Sequence, residues 1–170
     1  LIRSILIALL AFLLSGCVAN PPLPSRPSLA AINAFAFSGR VSVRQDESRH
    51  HASIDWRHTS AKDEILLTTP LGQGLAEITR DADGARLLLA DGRRFAAADW
   101  SALSEEIFGF RLPLKTSARW LLGMTGDTEG WRIAVVERES AAPDALPAVI
   151  ELERDDIAVR LKIDAWSDIE

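Results

Sequence analysis

Along most of the chain apolar and polar residues alternate with a period of two. Phe35, Phe37, Val41 and Val43 are interleaved with Ser38, Arg40, Ser42 and Arg44, and Ala52, Ile54 and Trp56 with Ser53, Asp55 and Arg57. A strand turns successive side chains to opposite faces, so such stretches predict strands with one apolar and one wet face. Residues 65–69 and 75–79 read as two more strands, and 86–90 as another between the turn signals Asp83-Gly84 and Asp91-Gly92. Towards the C-terminus the stripes are Trp131, Ile133 and Val135, then Ala148, Ile150 and Leu152, then Ile157, Val159, Leu161, Ile163 and Ala165. Short turns between neighbours favour antiparallel pairing. Eight or nine strands are expected.

The period changes between Asp99 and Gly123. Asp99 is suited to cap a helix on which Trp100, Leu103 and Ile107 share one face, and Gly109 is suited to end it. Past Leu112-Pro113 a second helix is expected to run to Gly123, with Leu114, Ala118, Leu121 and Leu122 on its apolar side. Two short amphipathic helices must bury these stripes, and the apolar sheet face is the available partner. The expected architecture is mainly β, a strongly bent antiparallel sheet or incomplete, unclosed barrel with helices laid across it.

The N-terminal residues follow neither period. Arg3 is the only charged side chain before Arg26, and residues 5–14 are an unbroken apolar run. A spanning helix needs about twenty such residues; a basic start, a short apolar run and then small residues describe an export signal. The segment ends Leu14-Ser15-Gly16-Cys17, which resembles the bacterial lipobox, where the cysteine is lipidated after cleavage before it. Residues 1–16 are therefore expected to be a cleaved lipoprotein signal. Residues 17–28 hold four of the eight prolines and read as a lipidated cysteine on a semi-rigid tether, reaching ~30 Å at ~3 Å per residue. Residues 29–170 form the expected domain.

Composition sharpens this division. The 48% of hydrophobic residues includes the signal, and loss of Arg3 would take the net charge from −5 to −6. An acidic chain lacks the basic surface that displaces counterions from phosphate, which argues against nucleic acid. One cysteine excludes an intrachain disulfide and any multi-thiolate zinc site. His50 and His51 fall on opposite strand faces, and with His58 they read as turn and strand surface rather than metal ligands. Asp81-Ala82-Asp83-Gly84 lacks the glutamate that would complete a calcium loop and reads as a hairpin turn. No nucleophile elbow, phosphate loop or paired catalytic histidine appears, so neither an enzyme nor a metal or cofactor site is expected.

A set of short words in order carries a resemblance: Phe37-Ser38-Gly39-Arg40-Val41-Ser42-Val43, Ile54-Asp55-Trp56, Thr69-Pro70-Leu71-Gly72, Gly109-Phe110-Arg111-Leu112-Pro113-Leu114, Trp120-Leu121-Leu122-Gly123, Gly130-Trp131-Arg132-Ile133 and Leu146-Pro147. Together with residues 159–166 and the lipobox, these words cover nearly the whole mature chain. It resembles the LolB family of outer-membrane lipoproteins. The resemblance implies an unclosed barrel with a helical lid around an apolar cavity that takes up lipoprotein acyl chains without a cofactor. It implies cargo delivered by a LolA-like periplasmic carrier and inserted into the outer membrane, where the chain itself is anchored on the periplasmic face through Cys17. Val18 after the cysteine agrees with that address. Phe37, Val41, Ile54, Trp56, Leu103, Ile107, Leu121, Trp131 and Ile133 are the candidates for acyl-chain contact.

Leu71 stands out on its own chemistry, because a large apolar residue is unusual in a turn. In the family an exposed leucine at the tip of this loop is implicated in membrane insertion, which makes Leu71, with Pro70, Gly72 and the weaker companion Leu75, the expected membrane loop. One departure is the short segment 125–129 before Gly130-Trp131, where the family has a further strand; a narrower sheet with a more open side is expected. A monomer is expected. The alternative is a non-enzymatic envelope lipoprotein whose apolar face is a filled core, acting as a structural or protein-interaction module.

Overall fold

The computed structural model describes residues 27–170, apart from residues 113, 125 and 127 and the side chains of residues 108, 114 and 115. The expected signal, Cys17 and most of the tether lie outside the described residues. After a 3-10 turn at Leu29–Ala31 come β1 (Phe35–Gln45), β2 (Ser48–His58), β3 (Asp63–Thr68), β4 (Gly74–Asp81), β5 (Gly84–Leu89) and β6 (Arg94–Ala97). Helices α1 (Trp100–Phe108) and α2 (Leu114–Leu121) follow, then β7 (Arg132–Arg138), β8 (Pro147–Arg154) and β9 (Ile157–Ser167). Between α2 and β7 no strand occurs among the described residues.

All nine strands form one antiparallel sheet in the order β6-β5-β4-β3-β2-β1-β9-β8-β7. The first six strands are a meander, the last three another, and β9 returns to pair with β1. The free edges β6 and β7 are consecutive in sequence, and the helical segment connects them. The sheet does not close into a barrel. A chain that leaves one edge and re-enters at the other must travel across a face of the sheet, which is how the helices come to cover it.

The helix ends follow from local chemistry. The Asp99 carboxylate accepts from the Ala102 N–H at 2.8 Å, which satisfies one of the unpaired amides of the first turn of α1. Gly109 ends the helix with φ 76°, a left-handed conformation that a Cβ disfavours. Helix α1 packs against β5 and β6.

One stripe differs from the sequence expectation. A bulge between Ser38 and Gly39 shifts the pairing with β9: Ser38 lies opposite Ala165, but Gly39 lies opposite Ile163. The extra residue reverses the alternation beyond Ile163, so Ala165 is exposed and Trp166 joins the core opposite Phe37. The indole of Trp166 donates to the Pro147 carbonyl at 2.9 Å and sits edge-on to Phe35 and Phe37.

The sheet has two unlike ends. At the base end the chain enters at Phe35, β2 turns into β3, β4 turns into β5, and α1 begins. Asn33 and Ala34 bond there to Glu170, fastening the described N-terminal residues to the C-terminus. At the tip end are the turns joining β1 to β2, β3 to β4, β5 to β6 and β8 to β9.

Candidate functional site

The apolar face is built from cross-strand rows. Trp166, Phe37, Trp56, Ile65, Ile78, Leu87 and Phe95 stand opposite one another across seven strands, and the five from Phe37 to Leu87 are all buried. The next row towards the tip holds Ile54, Leu67, Ala76 and Leu89. Here Leu67, Ala76 and Leu89 are only half-buried, as are Val41, Val43 and Ala52 still nearer the tip on β1 and β2. Apolar surface on β1 to β5 is thus sealed at the base and partly uncovered towards the tip.

All nine candidates for acyl-chain contact lie in one cluster. Phe37, Ile54, Trp56, Leu103, Leu121 and Trp131 are buried in it, while Val41, Ile107 and Ile133 are half-buried against it. The cover has a particular weakness. The indole N–H groups of Trp100, Trp120 and Trp131, on the helices and at the entry to β7, are buried with no acceptor among the described residues. Each such burial costs on the order of 1–3 kcal/mol, so the cover is less firmly satisfied than the sheet ladder beneath it. Grooves of about 240 and 220 Å³ take in Val43 in one case and Val41 and Ala52 in the other, and both are also lined by charged side chains, among them Arg44, Arg49 and Glu151 in the first, Arg40 and Lys162 in the second, and Arg160 in both.

The turn between β3 and β4 is tightly specified. The Thr69 carbonyl accepts from Gly72 N–H at 2.8 Å, Thr69 N–H donates to the Gln73 carbonyl at 2.8 Å, and the Thr69 hydroxyl accepts from Gln73 N–H at 3.1 Å. Pro70 and Leu71 occupy its central positions and Gly72 takes φ 81°. Leu71 is 89% exposed, held out by a turn whose own bonds are complete. The turn between β5 and β6 has the same backbone bonding, Gly92 to Leu89 and Leu89 to Arg93. There the position matching Leu71 is Asp91, whose carboxylate accepts from Arg93 N–H at 3.0 Å. This turn geometry is therefore made with a polar residue next door, and nothing in it requires leucine.

His50 and His51 stand opposite Val43 and Ser42 respectively, on alternate faces of β2. His58 departs from the surface reading. Its Nδ1 lies 2.6 Å from Oδ1 of the fully buried Asp63, which also accepts from Trp56 Nε1 at 2.9 Å, while Oδ2 accepts from Arg80 Nε at 2.5 Å. Burial raises the Asp63 carboxyl pKa, but hydrogen bonds from His58, Trp56 and Arg80 together hold it below the ordinary value. With the carboxylate ionised, the contact needs the His58 proton on Nδ1. The arrangement fastens three strands at the base end.

Two further exposed leucines escaped the sequence reading, Leu66 at 43% and Leu88 at 37%. A signal for them exists: Ile65-Leu66-Leu67 and Leu87-Leu88-Leu89 are apolar runs within strands, and alternation must put the middle residue on the wet face.

A family model described as outer membrane lipoprotein LolB matches residues 33–166, from just before β1 to the last turn of the core stripe at Trp166. The chain belongs to the LolB family. Curated LolB proteins resemble it over almost their whole length. The outer-membrane lipoprotein LolB of Chromobacterium violaceum is 32% identical over 98% of this chain and 99% of the relative. That of Azoarcus sp. strain BH72 is 32% identical over 91% and 89%, and that of Dechloromonas aromatica 32% over 92% and 93%. Among solved structures, a LolA-superfamily protein from Nitrosomonas europaea aligns with 79% of this chain and 85% of its own, at 10% identity and a TM-score of 0.38. The LolB match includes the tip turns, the Asp63 cluster and the whole helical cover.

Proposed function

We propose that this LolB-family chain is a non-enzymatic outer-membrane lipoprotein, held on the periplasmic face through lipid on Cys17. It receives lipoproteins from a LolA-like periplasmic carrier by taking up their acyl chains on its apolar face, and passes them to the bilayer. The observation that carries this reading is the grading of burial along β1 to β5. Apolar rows are closed at the base and half-open at the end where Leu71 projects. Membership in the LolB family and the names of its relatives support the pathway.

The physical basis is differential burial. Each acyl methylene removed from water contributes ~0.8 kcal/mol, so cargo moves downhill from a weaker site to a stronger one and then to lipid. The cover admits chains by lifting, and the three indole donors that lack an acceptor among the described residues make that less costly. Leu71 in lipid is worth only ~1.5–3 kcal/mol. That is enough to bias tip contact with the bilayer, while the lipid on Cys17 does the anchoring.

The test follows a lipidated protein from its carrier to this chain and then into vesicles. Leu71→Glu should retain fold and cargo uptake but lose incorporation into the membrane; unchanged incorporation would overturn the role of the tip. The dense packing around Leu103 and Trp120, both fully buried, favours the second reading of a filled core. Saturable binding of a fluorescent apolar probe supports the acceptor, and absence of binding supports the packed interaction module.

A further inference from the structure

The three indole donors of the cover that lack an acceptor among the described residues stand at different levels of the sheet. Trp100 opens α1 at the base end. The Trp120 carbonyl accepts from Gly123 N–H, and a Cβ on Gly123 would meet Arg138 and Pro147, the pair at the base end of β7 and β8. Trp131 is at the other end. Its neighbour Arg132 stands opposite Glu153, Glu153 opposite Ala158 and Ala158 opposite Arg44, close to the turns that join β8 to β9 and β1 to β2. Trp131 is itself 2% exposed, yet the apolar residues around it are loosely covered. The adjoining row towards the base holds Ile133, Leu152, Val159 and Val43, of which only Leu152 is buried. Phe110, between α1 and α2, is half-buried with its ring centre 5.9 Å from that of Trp131. Beyond Trp131 the surface turns polar, in a groove of about 340 Å³ that runs from Gly130 past Arg132, Glu153, Arg154 and Asp155.

A buried donor thus waits where the apolar rows end and polar surface begins. Hydrocarbon cannot satisfy it. An acyl chain differs from an alkyl chain in one group, the carbonyl at its head, and that head stays near the tip when the methylenes lie along the rows towards the base. A donor already removed from water loses no further hydration when it meets a carbonyl, and in an apolar setting the bond is stronger than in water. Trp100 and Trp120, at the base, would meet only methylenes.

We infer that Trp131 reads the acyl linkage of the cargo: its Nε1–H donates to the ester or amide carbonyl of a bound chain, which fixes how far the chain enters and favours acyl over alkyl lipid. This rests on the acyl-uptake reading and deepens it. Apolar burial alone rewards any hydrocarbon of the same length, whereas one placed donor adds a choice of chemistry and a fixed depth.

The test holds the full lipid-anchored chain in nanodiscs of dialkyl ether phospholipid, so that the bilayer itself offers no acyl carbonyl. Two glyceryl-cysteine peptides are compared by displacement of a fluorescent apolar probe, one carrying octanoyl esters and the other octyl ethers. The ester-to-ether affinity ratio of wild type should fall by about tenfold in Trp131→Phe, which removes the donor and keeps an aromatic ring. In Trp120→Phe, at the base, the ratio should stay as in wild type. A ratio unchanged in Trp131→Phe, or lowered equally in Trp120→Phe, would overturn the inference while leaving acyl uptake standing. Failure of wild type to bind either peptide would overturn both. A second measurement needs no variant: with isotope-labelled carbonyl carbons in the ester, the infrared band of the bound peptide should lie at lower frequency than that of the same ester in hexane. A bound band at the hexane position would overturn the inference.

Discussion

Replacing Asp63 by asparagine should detach the base end of the sheet while leaving the tip chemistry intact. The substitution keeps the shape but removes the charge, and an amide nitrogen must then face either Arg80 or the Trp56 and His58 donors. Arg80 is the larger loss. Its side chain is only 16% exposed and its Nη2 already has no partner among the described residues, so the guanidinium is left buried without an anion. Breaking a buried pair costs about 3–5 kcal/mol, and the partial exposure of Arg80 points to the lower end, near 3. With a urea slope of about 2 kcal/mol/M, the unfolding midpoint at pH 7 should fall by about 1.5 M. Tryptophan fluorescence would follow it directly, because Trp56 is one of the donors. The pH dependence gives a second check. The folded-state pKa of Asp63 is depressed, so its stabilisation is present above the unfolded carboxyl value of ~3.9 and disappears as pH falls through the lower folded value. The gap between wild type and Asp63→Asn should therefore narrow below about pH 4. A variant within 0.5 kcal/mol of wild type at pH 7, or a gap constant from pH 6 to 3, would refute this account.

Two other substitutions test how the sheet and its cover are held. A Cβ on Gly39 would lie 2.3 Å from the Lys162 carbonyl, so Gly39→Ala must push β1 from β9 at the bulge and should cost about 1–3 kcal/mol, read as a lowered Tm. Asp99→Ala removes the cap of α1 and should cost about 1 kcal/mol. If α1 is part of the gate, uptake of an apolar probe should also become faster in that variant; a slower or unchanged rate would separate the helix from the gate.

Much of the fold could be read from alternation, because a sheet with one wet face writes its period into the chain. The helical cover was equally plain, with Asp99 and Gly109 marking the ends of α1. The bulge at Ser38 was not, since Ile163-Asp164-Ala165 continues a perfect alternation and only the pairing with β1 shows that Trp166 takes the inward place. Asp63 was hidden for a related reason. Beside Lys62 it looks like part of a polar turn, and its partners Trp56, His58 and Arg80 come together only when β2, β3 and β4 align. Leu71 was legible because turn chemistry is local: leucine between Pro70 and Gly72 contradicts its surroundings. Leu66 and Leu88 required attention to what should not be apolar.

The two ends of the sheet give the molecule a direction. The described chain enters at the base, whereas Leu71 projects from the turn beyond the tip end of β3, whose residues Asp63–Thr68 span ~17 Å at ~3.3 Å per residue. A surface touched by Leu71 therefore lies on the far side of the domain from the point where the described chain enters it.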